Sequence, residues 1–517
     1  MLNVETSPSE LHLHKLSAKI KGLFRRNVSS SDRNDISDYL NAARNELKGY
    51  EVEINKLKAT ILSLENRRDL LKYKMDRYRS LLSPIHRLPT EVLENIFKHD
   101  ARAVQVRARV VPKIVSLSMV CGRWREVICS TPSLWANIDL DVERLDNYAS
   151  TDDDITHLTY VLQLFLARSR SAPLNLDLFI PSSEPVHRTT KLLDVLAPSM
   201  NRWRVICLNA STEIFEHPAF QLLPQRLPSL QHVTLVSPSE HYINLFNKCP
   251  SLTSLELDFC QETPYRFERE WPGIKTLDIS LNPSSSTAFV SSFLKVCPNM
   301  ERLTVWTSAT RPELESLIVL PRLKSLTCNG PHILSLFQYL SLPNMSTMTL
   351  DIDDGEWDVQ SFAEFLSRSS CNITHLTLEP PYSSTDYAPV LSFLRLLPTV
   401  QELHLDVRAN NGALFGTFLD QLFVGQLSSP LLPHLTDLTL IINERCFKEG
   451  PLVRAVKSRW LPDLQDPSEA GVTCLRSLKL EVMGDKFAPT LEPLLYLRDA
   501  GLRVDVFLID YGDYLYR

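Results

Sequence analysis

The strongest constraint on the fold is a short apolar motif that recurs through the second half of the chain. The motif places apolar residues at its first, fourth and sixth positions, usually two residues after a proline. In LPSLQHVTL these residues are Leu230, Val233 and Leu235. Alternating apolar and polar residues over this length predict one short strand per copy, with one face buried. The copies begin at Leu230, Leu252, Ile274, Met300, Leu323, Met345, Ile373, Val400, Leu435 and Leu475.

The spacing of the copies predicts how these strands are arranged. The first eight copies lie 22 to 28 residues apart, and the last two intervals are 35 and 40 residues. Leucine-rich repeats take about 20 to 29 residues, so the central copies fit and the last two carry insertions. Several return segments have a helical pattern, including AFVSSFLKVC and APVLSFLRLL. Because one strand cannot bury its apolar face alone, stacked copies predict an irregular leucine-rich-repeat-like solenoid.

We therefore predict an α/β fold in which residues 141–517 form this solenoid, with repeat boundaries after residue 440 left open. An ordinary α/β domain with a parallel sheet is the alternative. A weaker copy starts at Trp203, and residues 141–200 are expected to hold the first helix–strand unit.

Polar positions within the strands are expected to line the concave face of the solenoid and to bind a protein substrate. Their mixture is polar and mildly acidic, which weakly favours a basic ligand. The acidic run DIDDGEWD, from Asp351 to Asp358, is interpreted as a solvated loop. The predicted substrate-binding residues are Glu256, Asp278, Thr304, Thr327, Thr349, His404 and Thr439.

Composition and motifs argue against the common enzyme classes. The chain has 14 glycines and 33 prolines in 517 residues, and contains no GxGxxG or GxxxxGK[ST]. Phosphate-cradling loops need glycine so that the backbone can approach the ligand. There is also no GxSxG, no HExxH and no Cys/His spacing typical of a metal site. We therefore predict no catalytic residue, no cofactor and no metal.

Charge and cysteine usage narrow the partners and the compartment. The net charge of −6 argues against a general nucleic-acid binder, which usually carries a basic excess. The ten cysteines form no CxxC pair, and Cys249, Cys297 and Cys371 occupy one place in the repeat, which indicates packing. A polar start and the absence of an 18-residue apolar run predict no signal peptide and no membrane partner. The expected location is cytoplasmic or nuclear.

The first 82 residues contain a heptad pattern. Residues 1–35 are rich in serine and expected to be disordered, and residues 36–82 are expected to form a coiled-coil helix that ends before Pro84. Arg68 is the single charged residue among the thirteen seam positions. The a positions are Leu40, Leu47, Ile54, Ile61, Arg68, Met75 and Leu82, and the d positions are Ala43, Tyr50, Leu57, Leu64, Leu71 and Tyr78.

The charges beside this seam bear on a possible self-association through residues 36–82. A parallel pairing would place Glu46 by Glu51 and Arg67 by Lys72, whereas an antiparallel one with Ile61 opposite Leu64 gives more attractive pairs. Exposed pairs contribute only about 0.2–1 kcal/mol each, so they bias the orientation without deciding it. A helix that packs back on its own chain is the alternative.

The sharpest local signal runs from Ser83 to Leu140. SPIHRLPTEVLENIF predicts a turn and then a helix that begins near Thr90. A basic insertion, KHDARAVQVRARVVPK, separates it from IVSLSMVCGRWREVICSTPSLWANIDL. In the second segment apolar residues again recur at helical intervals, at Ile114, Leu117, Val120, Cys121 and Trp124.

Together these segments resemble an F-box, whose pattern is LPxEvLxxIf, a variable gap, and lxxVCxrWrxvaxsxpxLW. With the preceding coiled coil, the arrangement is similar to the large F-box families of mushroom-forming fungi. The resemblance covers about 100 residues. The matching residues are Leu88, Pro89, Glu91, Val92, Ile96, Phe97, Leu117, Val120, Cys121, Arg123, Trp124, Arg125, Pro132, Leu134 and Trp135.

The resemblance implies a three-helix F-box domain over residues 83–140 that docks on a Skp-type adaptor of a cullin–RING (SCF-type) ubiquitin ligase. The rest of the chain would then recruit the substrate. A non-catalytic scaffold without substrate turnover and an enzyme with a site not visible in sequence are the alternatives. Trp135 is expected to belong to the core. By carry-over, the adaptor-binding residues are Leu88, Pro89, Glu91, Val92, Ile96, Leu117, Val120 and Trp124.

Overall fold

The computed structural model divides the chain into two compact units, residues 1–93 and 94–517. The residues it describes are 15, 17–21, 24, 27–100, 104–106, 110–142, 152–180, 186–210, 215–221, 227–236, 240–259, 267, 269–281, 287–307, 314, 316–331, 333–352, 357–380, 388–408, 412–425, 430–461, 471–484 and 492–509.

The first unit contains one long helix, α1 (Ser30–Leu81), as the heptad pattern predicts. Ser29 and Asp32 form a capping box, in which the Asp32 N–H donates to Ser29 Oγ at 3.2 Å and the Ser29 N–H to Asp32 Oδ2 at 2.9 Å. This cap starts the helix six residues before the predicted position. Most of the N-terminal segment expected to be disordered lies outside the described residues, but residues 30–35 are helical.

Three short helices follow, in the region that resembles an F-box. They are α2 (Thr90–Asp100), α3 (Lys113–Ser118) and α4 (Gly122–Ser130), with a 3₁₀ turn at Pro132–Trp135. Pro112 precedes α3, and Cys121 precedes α4 in an extended conformation, so each helix begins after an extended residue.

The second unit is built on one parallel sheet, which contains fifteen strands in its described part. The strands are β1 (Val104–Val106), β2 (Asn137–Asp141), β3 (Leu174–Ile180), β4 (Trp203–Ala210), β5 (His232–Val236), β6 (Ser254–Phe259), β7 (Thr276–Leu281), β8 (Arg302–Thr307), β9 (Ile318–Val319), β10 (Ser325–Asn329), β11 (Leu340–Ser341), β12 (Thr347–Asp351), β13 (His375–Glu379), β14 (Glu402–Val407), β15 (Asp437–Asn443), β16 (Ser477–Met483) and β17 (Arg503–Ile509). Strands β9 and β11 pair separately.

Helices connect many of these strands, as the return segments predict. They are α5 (Asp152–Ser169), α6 (Val186–Leu196), α7 (Pro218–Gln221), α8 (Glu240–Leu245), α9 (Thr287–Lys295), α10 (Val359–Ser369), α11 (Ala388–Arg395), α12 (Gly412–Leu422), α13 (Glu449–Arg459) and α14 (Glu492–Asp499). The return between β10 and β11 is instead a 3₁₀ segment, Ile333–Tyr339.

The order of strands in the sheet follows their order in the chain, apart from the separate β9–β11 pair. An ordinary doubly wound α/β domain reverses its strand order at a switch point, so the sequential order identifies the leucine-rich-repeat-like solenoid. The repeated apolar residues form its core: Leu323, Leu326 and Cys328 of one copy are each fully buried. The weaker copy at Trp203 is strand β4, with Trp203 itself fully buried.

The sheet extends beyond the predicted limits at its beginning. The predicted boundary at 140/141 falls inside β2, and the basic insertion contributes β1, which pairs with β2 in parallel. Strand β2 belongs to the sheet because Ile138 and Leu140 are buried while its alternate residues face outward, the pattern of the other repeats. No helix in the described ranges is both long enough and apolar enough to cross a membrane.

Candidate functional site

Helix α2 presents two adjacent apolar stripes that differ in exposure. Leu93 and Phe97 are 0% and 2% exposed, whereas Val92 and Ile96 are 41% and 42% exposed. Residues four apart lie on the same side of a helix, so Val92 and Ile96 form one exposed stripe. Exposed apolar side chains at fixed helical spacing are what a partner helix or groove can cover.

The residues that lead into α2 are held by backbone hydrogen bonds. The Leu88 N–H donates to the Ile85 carbonyl at 3.4 Å, and the Leu93 N–H donates to the Pro89 carbonyl at 3.1 Å. Leu88 is half-buried, while Pro89 and Glu91 are exposed. Glu91 lies in the first turn of the helix, where a carboxylate suits the helix dipole.

The other predicted adaptor-binding residues surround the turn between α3 and α4. Val120 is 61% exposed in this turn, and Leu117 is half-buried. Trp124 is also half-buried, with its ring edge-on to Phe97 at a centroid distance of 5.0 Å. Trp124 therefore supports the interior of this region while keeping part of its surface accessible.

Met119 is an exposed apolar residue that the sequence analysis did not select. It lies beside Val120 in the same turn and is 66% exposed. The signal was present in SMVCGRW, since an apolar pair in a turn between two short helices has little local core to join. The family pattern treats this position as variable, which explains the omission.

Trp135 belongs to the core, as expected. It is 3% exposed, and its indole N–H donates to the Ile128 carbonyl at 2.9 Å. Its ring packs edge-on against Phe165 of α5 at 5.1 Å, and the Arg168 guanidinium lies 5.8 Å from the ring centroid. Trp135 therefore joins the end of the F-box region to the first repeat helix.

The seven predicted substrate-binding residues all lie in one register row of the sheet. Each is half-buried and alternates with fully buried neighbours along its strand. We call the side of the sheet on which they lie, opposite the buried apolar residues, the open sheet face. The in-register partners run Glu256, Asp278, Thr304, Thr327, Thr349, Thr377, His404, Thr439 and Lys479 across β6 to β16.

Two neighbouring carboxylates of this row have opposite pKa shifts. Hydrogen bonds from His232 and Thr234 hold the pKa of Glu256 below its ordinary value; the Thr234 hydroxyl donates to Glu256 Oε2 at 2.8 Å. Burial, with repulsion from Glu256, raises the pKa of Asp278 to about 6. Glu256 is thus the more firmly ionised of the two and Asp278 the more readily neutralised.

Trp306 lies next to this acidic pair and was missed by the sequence analysis. It is 47% exposed, it pairs in register with Ser280 of β7, and its side chain donates a hydrogen bond to Asp278. The signal was a large aromatic residue at an outward position of CPNMERLTVW, one residue beyond the motif. An exposed tryptophan beside carboxylates can receive the apolar stem and the charge of a cationic side chain.

The far end of the open sheet face holds a charged network. Arg408 forms an ion pair with Asp406 and lies 3.6 Å from Glu379, and Lys479 forms an ion pair with Glu481. Burial lowers the pKa of His404, against the opposing effect of Glu481 and Asp406. His404 is therefore mainly neutral at pH 7 and offers a hydrogen bond rather than a charge.

The acidic run at residues 351–358 is partly a structural cap. Asp358 accepts a hydrogen bond from the Ser361 N–H at 3.0 Å and caps the start of α10, while residues 353–356 lie outside the described part of the chain.

The cysteines of the repeat are packing residues. Burial raises the pKa of the Cys249 thiol to about 11 and raises that of Cys297 further. The described residues contain no group of His, Cys, Asp and Glu that could hold a metal.

Comparison with known proteins identifies the region after α1. Residues 85–141 match the family model described as F-box-like, which confirms the resemblance seen in the sequence. No curated protein matches the chain. The crystal structure of a TLR13–ssRNA13 complex is similar at 14% identity with a TM-score of 0.30, over 73% of this chain and 62% of that chain. An internalin (inlF) from Listeria monocytogenes strain 4b F2365 is similar at 12% identity with a TM-score of 0.26, over 71% and 91%.

This chain therefore spans less than two thirds of the TLR13 chain that it resembles. The chain consists of a long helix, an F-box-like region and a leucine-rich-repeat-like parallel sheet. F-box-like regions are typically non-catalytic binding modules.

Proposed function

We propose that this protein is the substrate receptor of an SCF-type ubiquitin ligase. Its F-box-like region would bind a Skp-type adaptor, and the open sheet face would hold a protein substrate. The observation that carries the proposal is the F-box-like match at residues 85–141, in which Val92 and Ile96 form an exposed apolar stripe. Since an adaptor of this class works inside the cell, we place the protein in the cytoplasm or nucleus.

A receptor of this kind acts by tethering and performs no covalent step itself. Holding the substrate near a ubiquitin-loaded enzyme raises the effective concentration of the reacting lysine, as linked binding modules do. The long row of half-buried polar residues supports this role, because it offers hydrogen-bonding groups at regular intervals along an extended surface. We assign substrate contact to Glu256, Asp278, Thr304 and His404 of that row, with Trp306 beside it.

The adaptor-binding step can be tested with a single substitution. Ile96→Asp places a carboxylate on the exposed stripe of α2, where it would have to be desolvated by the adaptor. We expect the affinity for a Skp-type adaptor to fall by at least about tenfold, as for a central apolar contact of an interface. Binding is measured by titration calorimetry with purified adaptor, and folding by the thermal unfolding midpoint.

Tyr160→Asp is the matched control. Tyr160 lies on α5, outside the matched region, and is 68% exposed. We expect its adaptor affinity to equal that of the unmodified protein. The double substitution Leu88→Asp with Pro89→Ala should abolish adaptor binding while the repeat region stays folded. Unchanged adaptor binding in both the Ile96 and the double variant would refute the proposal.

A further inference from the structure

Helix α1 carries an apolar seam that the described residues of its own unit leave uncovered. The a and d positions of residues 40–82 define this seam, and its eleven large apolar side chains are 45% to 75% exposed. In the 52-residue helix only Asp32 is buried. Soluble proteins rarely expose a continuous apolar stripe, here about 63 Å long at 1.5 Å per residue, so this one requires a partner.

The charges beside the seam describe that partner. Flanking positions in the first half are mostly acidic, with Glu46, Glu51 and Glu53, and those in the last part are basic, with Arg67, Lys72, Lys74 and Arg79. The mostly acidic part lies before residue 62 and the mostly basic part after residue 63, and the midpoint between these two residues is the centre about which an antiparallel pair would be symmetric. A helix with this distribution is complementary to a second copy of itself that runs in the opposite direction.

The antiparallel register with Ile61 opposite Leu64 makes this complementarity explicit. In it, paired seam residues have numbers that add up to 125, so Ile54 faces Leu71 and Leu47 faces Tyr78. The flanking pairs are then Glu51 with Lys72, Glu53 with Lys74, and Lys58 with Glu65. Each occurs twice in a symmetric dimer, and Arg44 with Arg79 is the one repulsive combination.

A parallel in-register dimer would reverse this balance. It sets Glu46 against Glu51, Arg67 against Lys72 and Lys74 against Arg79, and leaves only Glu53 with Lys58 attractive. It also brings Arg68 face to face with Arg68 of the second copy, because a positions pair with a positions in parallel dimers. In the antiparallel register Arg68 faces Leu57, and its guanidinium can stay at the surface beside Asp69, to which it donates at 2.8 Å.

We propose that residues 36–82 form an antiparallel two-stranded coiled coil with a second copy of this chain. In this dimer Leu82 lies opposite Ala43, so the C-terminal ends of the two helices are about 58 Å apart at 1.5 Å per residue. The two chains therefore continue towards their F-box-like regions from opposite ends of the coiled coil. Two F-box-like regions and two sheet regions would be carried by one assembly, which suits a substrate with two copies of its recognition segment.

The first test measures the mass of the full-length protein by sedimentation equilibrium. We expect a dimer at micromolar concentration. Leu64→Asp, at the centre of the seam, should raise the dimer dissociation constant by at least a hundredfold. Leu62→Asp is the matched control, since both leucines are 58% exposed but Leu62 lies outside the seam. A monomer at all concentrations, whether free or folded back on itself, would overturn the proposal.

The second test decides the orientation by charge reversal. In the antiparallel dimer Lys58→Glu and Glu65→Lys should each weaken association by about tenfold, because each turns two attractive pairs into repulsive ones. Combining them restores both pairs and should return the dissociation constant to within about threefold of the original.

In a parallel dimer position 65 faces Thr60 and position 58 faces Glu53. The double variant would then be as weak as Lys58→Glu alone, and that result would overturn the antiparallel arrangement. Helix content, measured by circular dichroism, should be equal in the two single variants and the double variant. The proposal is independent of adaptor binding, which the Leu64 variant should retain.

Discussion

Arg459 anchors the last described repeats, and its removal makes a quantitative prediction. It is the final residue of α13 and is 0% exposed. Its Nε donates to the Leu422 carbonyl at 2.8 Å, its Nη1 to the Leu432 carbonyl at 2.9 Å, and its Nη2 to the Leu431 carbonyl. The guanidinium thus ties α13 to the end of α12 and to the segment before β15.

The geometry around Arg459 shows why the chain needs this anchor. Leu432 has φ of 50°, in the left-handed region that a non-glycine residue adopts only at a cost. Burial lowers the pKa of Arg459 to about 10, so the side chain remains charged at neutral pH. The guanidinium adds a charged donor to all three carbonyls, and the Leu432 carbonyl also accepts from the Leu435 N–H at 3.2 Å.

Arg459→Met keeps most of the side-chain volume and removes all three hydrogen bonds. Each charge-assisted bond contributes about 1.5–3 kcal/mol, and several kcal/mol are regained because the buried charge is gone. We therefore expect a net loss of about 3 kcal/mol in the free energy of unfolding. Since the m-value in urea is at least about 3 kcal/mol/M for a unit of this size, the midpoint should fall by up to about 1 M.

Urea unfolding followed by tryptophan fluorescence measures this change. Arg454→Met is the matched control, because Arg454 lies on the same helix and is exposed. Its free energy of unfolding should stay within about 0.5 kcal/mol of the original. A loss of less than about 1 kcal/mol for Arg459→Met would show that the three carbonyls do not depend on the guanidinium, and would refute the reasoning.

Two other substitutions test the sheet region. Because the pKa of Asp278 is raised to about 6, ionisation of this carboxyl destabilises the fold as pH rises through 6. The substitution Asp278→Asn should therefore raise the unfolding midpoint more at pH 7.5 than at pH 5. Equal increases at both pH values would contradict this. At Gly330, φ is 114° and an added Cβ would lie 1.8 Å from the Thr307 carbonyl oxygen. Gly330→Ala should therefore lower the free energy of unfolding in urea by more than about 2 kcal/mol. The control Gly450→Ala, where the added Cβ meets open space, should be neutral or stabilising.

The repeat core could be predicted because its signal is local. In LPRLKSLTC the spacing of Leu323, Leu326 and Cys328 directly gives the buried side of one strand, and all three are fully buried. The helical returns AFVSSFLKVC and APVLSFLRLL likewise became α9 and α11. Period and burial face follow from neighbouring residues alone, so no knowledge of distant contacts was needed.

Elements that depend on distant partners were not predicted. Strand β1 forms from Val104–Val106 within the basic insertion because β2 offers it an edge. Strand β17 is not one of the ten copies of the motif, and its Phe507 and Leu508 are exposed. It nevertheless pairs in register with β16. Pairing to a neighbour, rather than an internal pattern, defines both strands.

The candidate surfaces show the same division. The single row from Glu256 to Thr439 follows from the repeat period, because in-register stacking carries one motif position across the sheet. The hydrogen bond from Trp306 to Asp278 joins residues of neighbouring strands 28 positions apart, so the motif spacing alone did not indicate it. The exposure of Met119 beside Val120 could be recognised only once the positions of α3 and α4 were known.

The most direct test of the receptor function compares bound proteins in cells. The full-length protein and the Ile96→Asp variant are purified with and without proteasome inhibition, and their partners are quantified by mass spectrometry. We predict that a Skp-type adaptor accompanies only the unmodified protein. At least one other bound protein should become more abundant on the unmodified protein when the proteasome is inhibited. The same bound protein should be similarly abundant on the Ile96→Asp variant without inhibition. Absence of the adaptor, or bound proteins that respond to neither change, would contradict a receptor that recruits substrates for degradation.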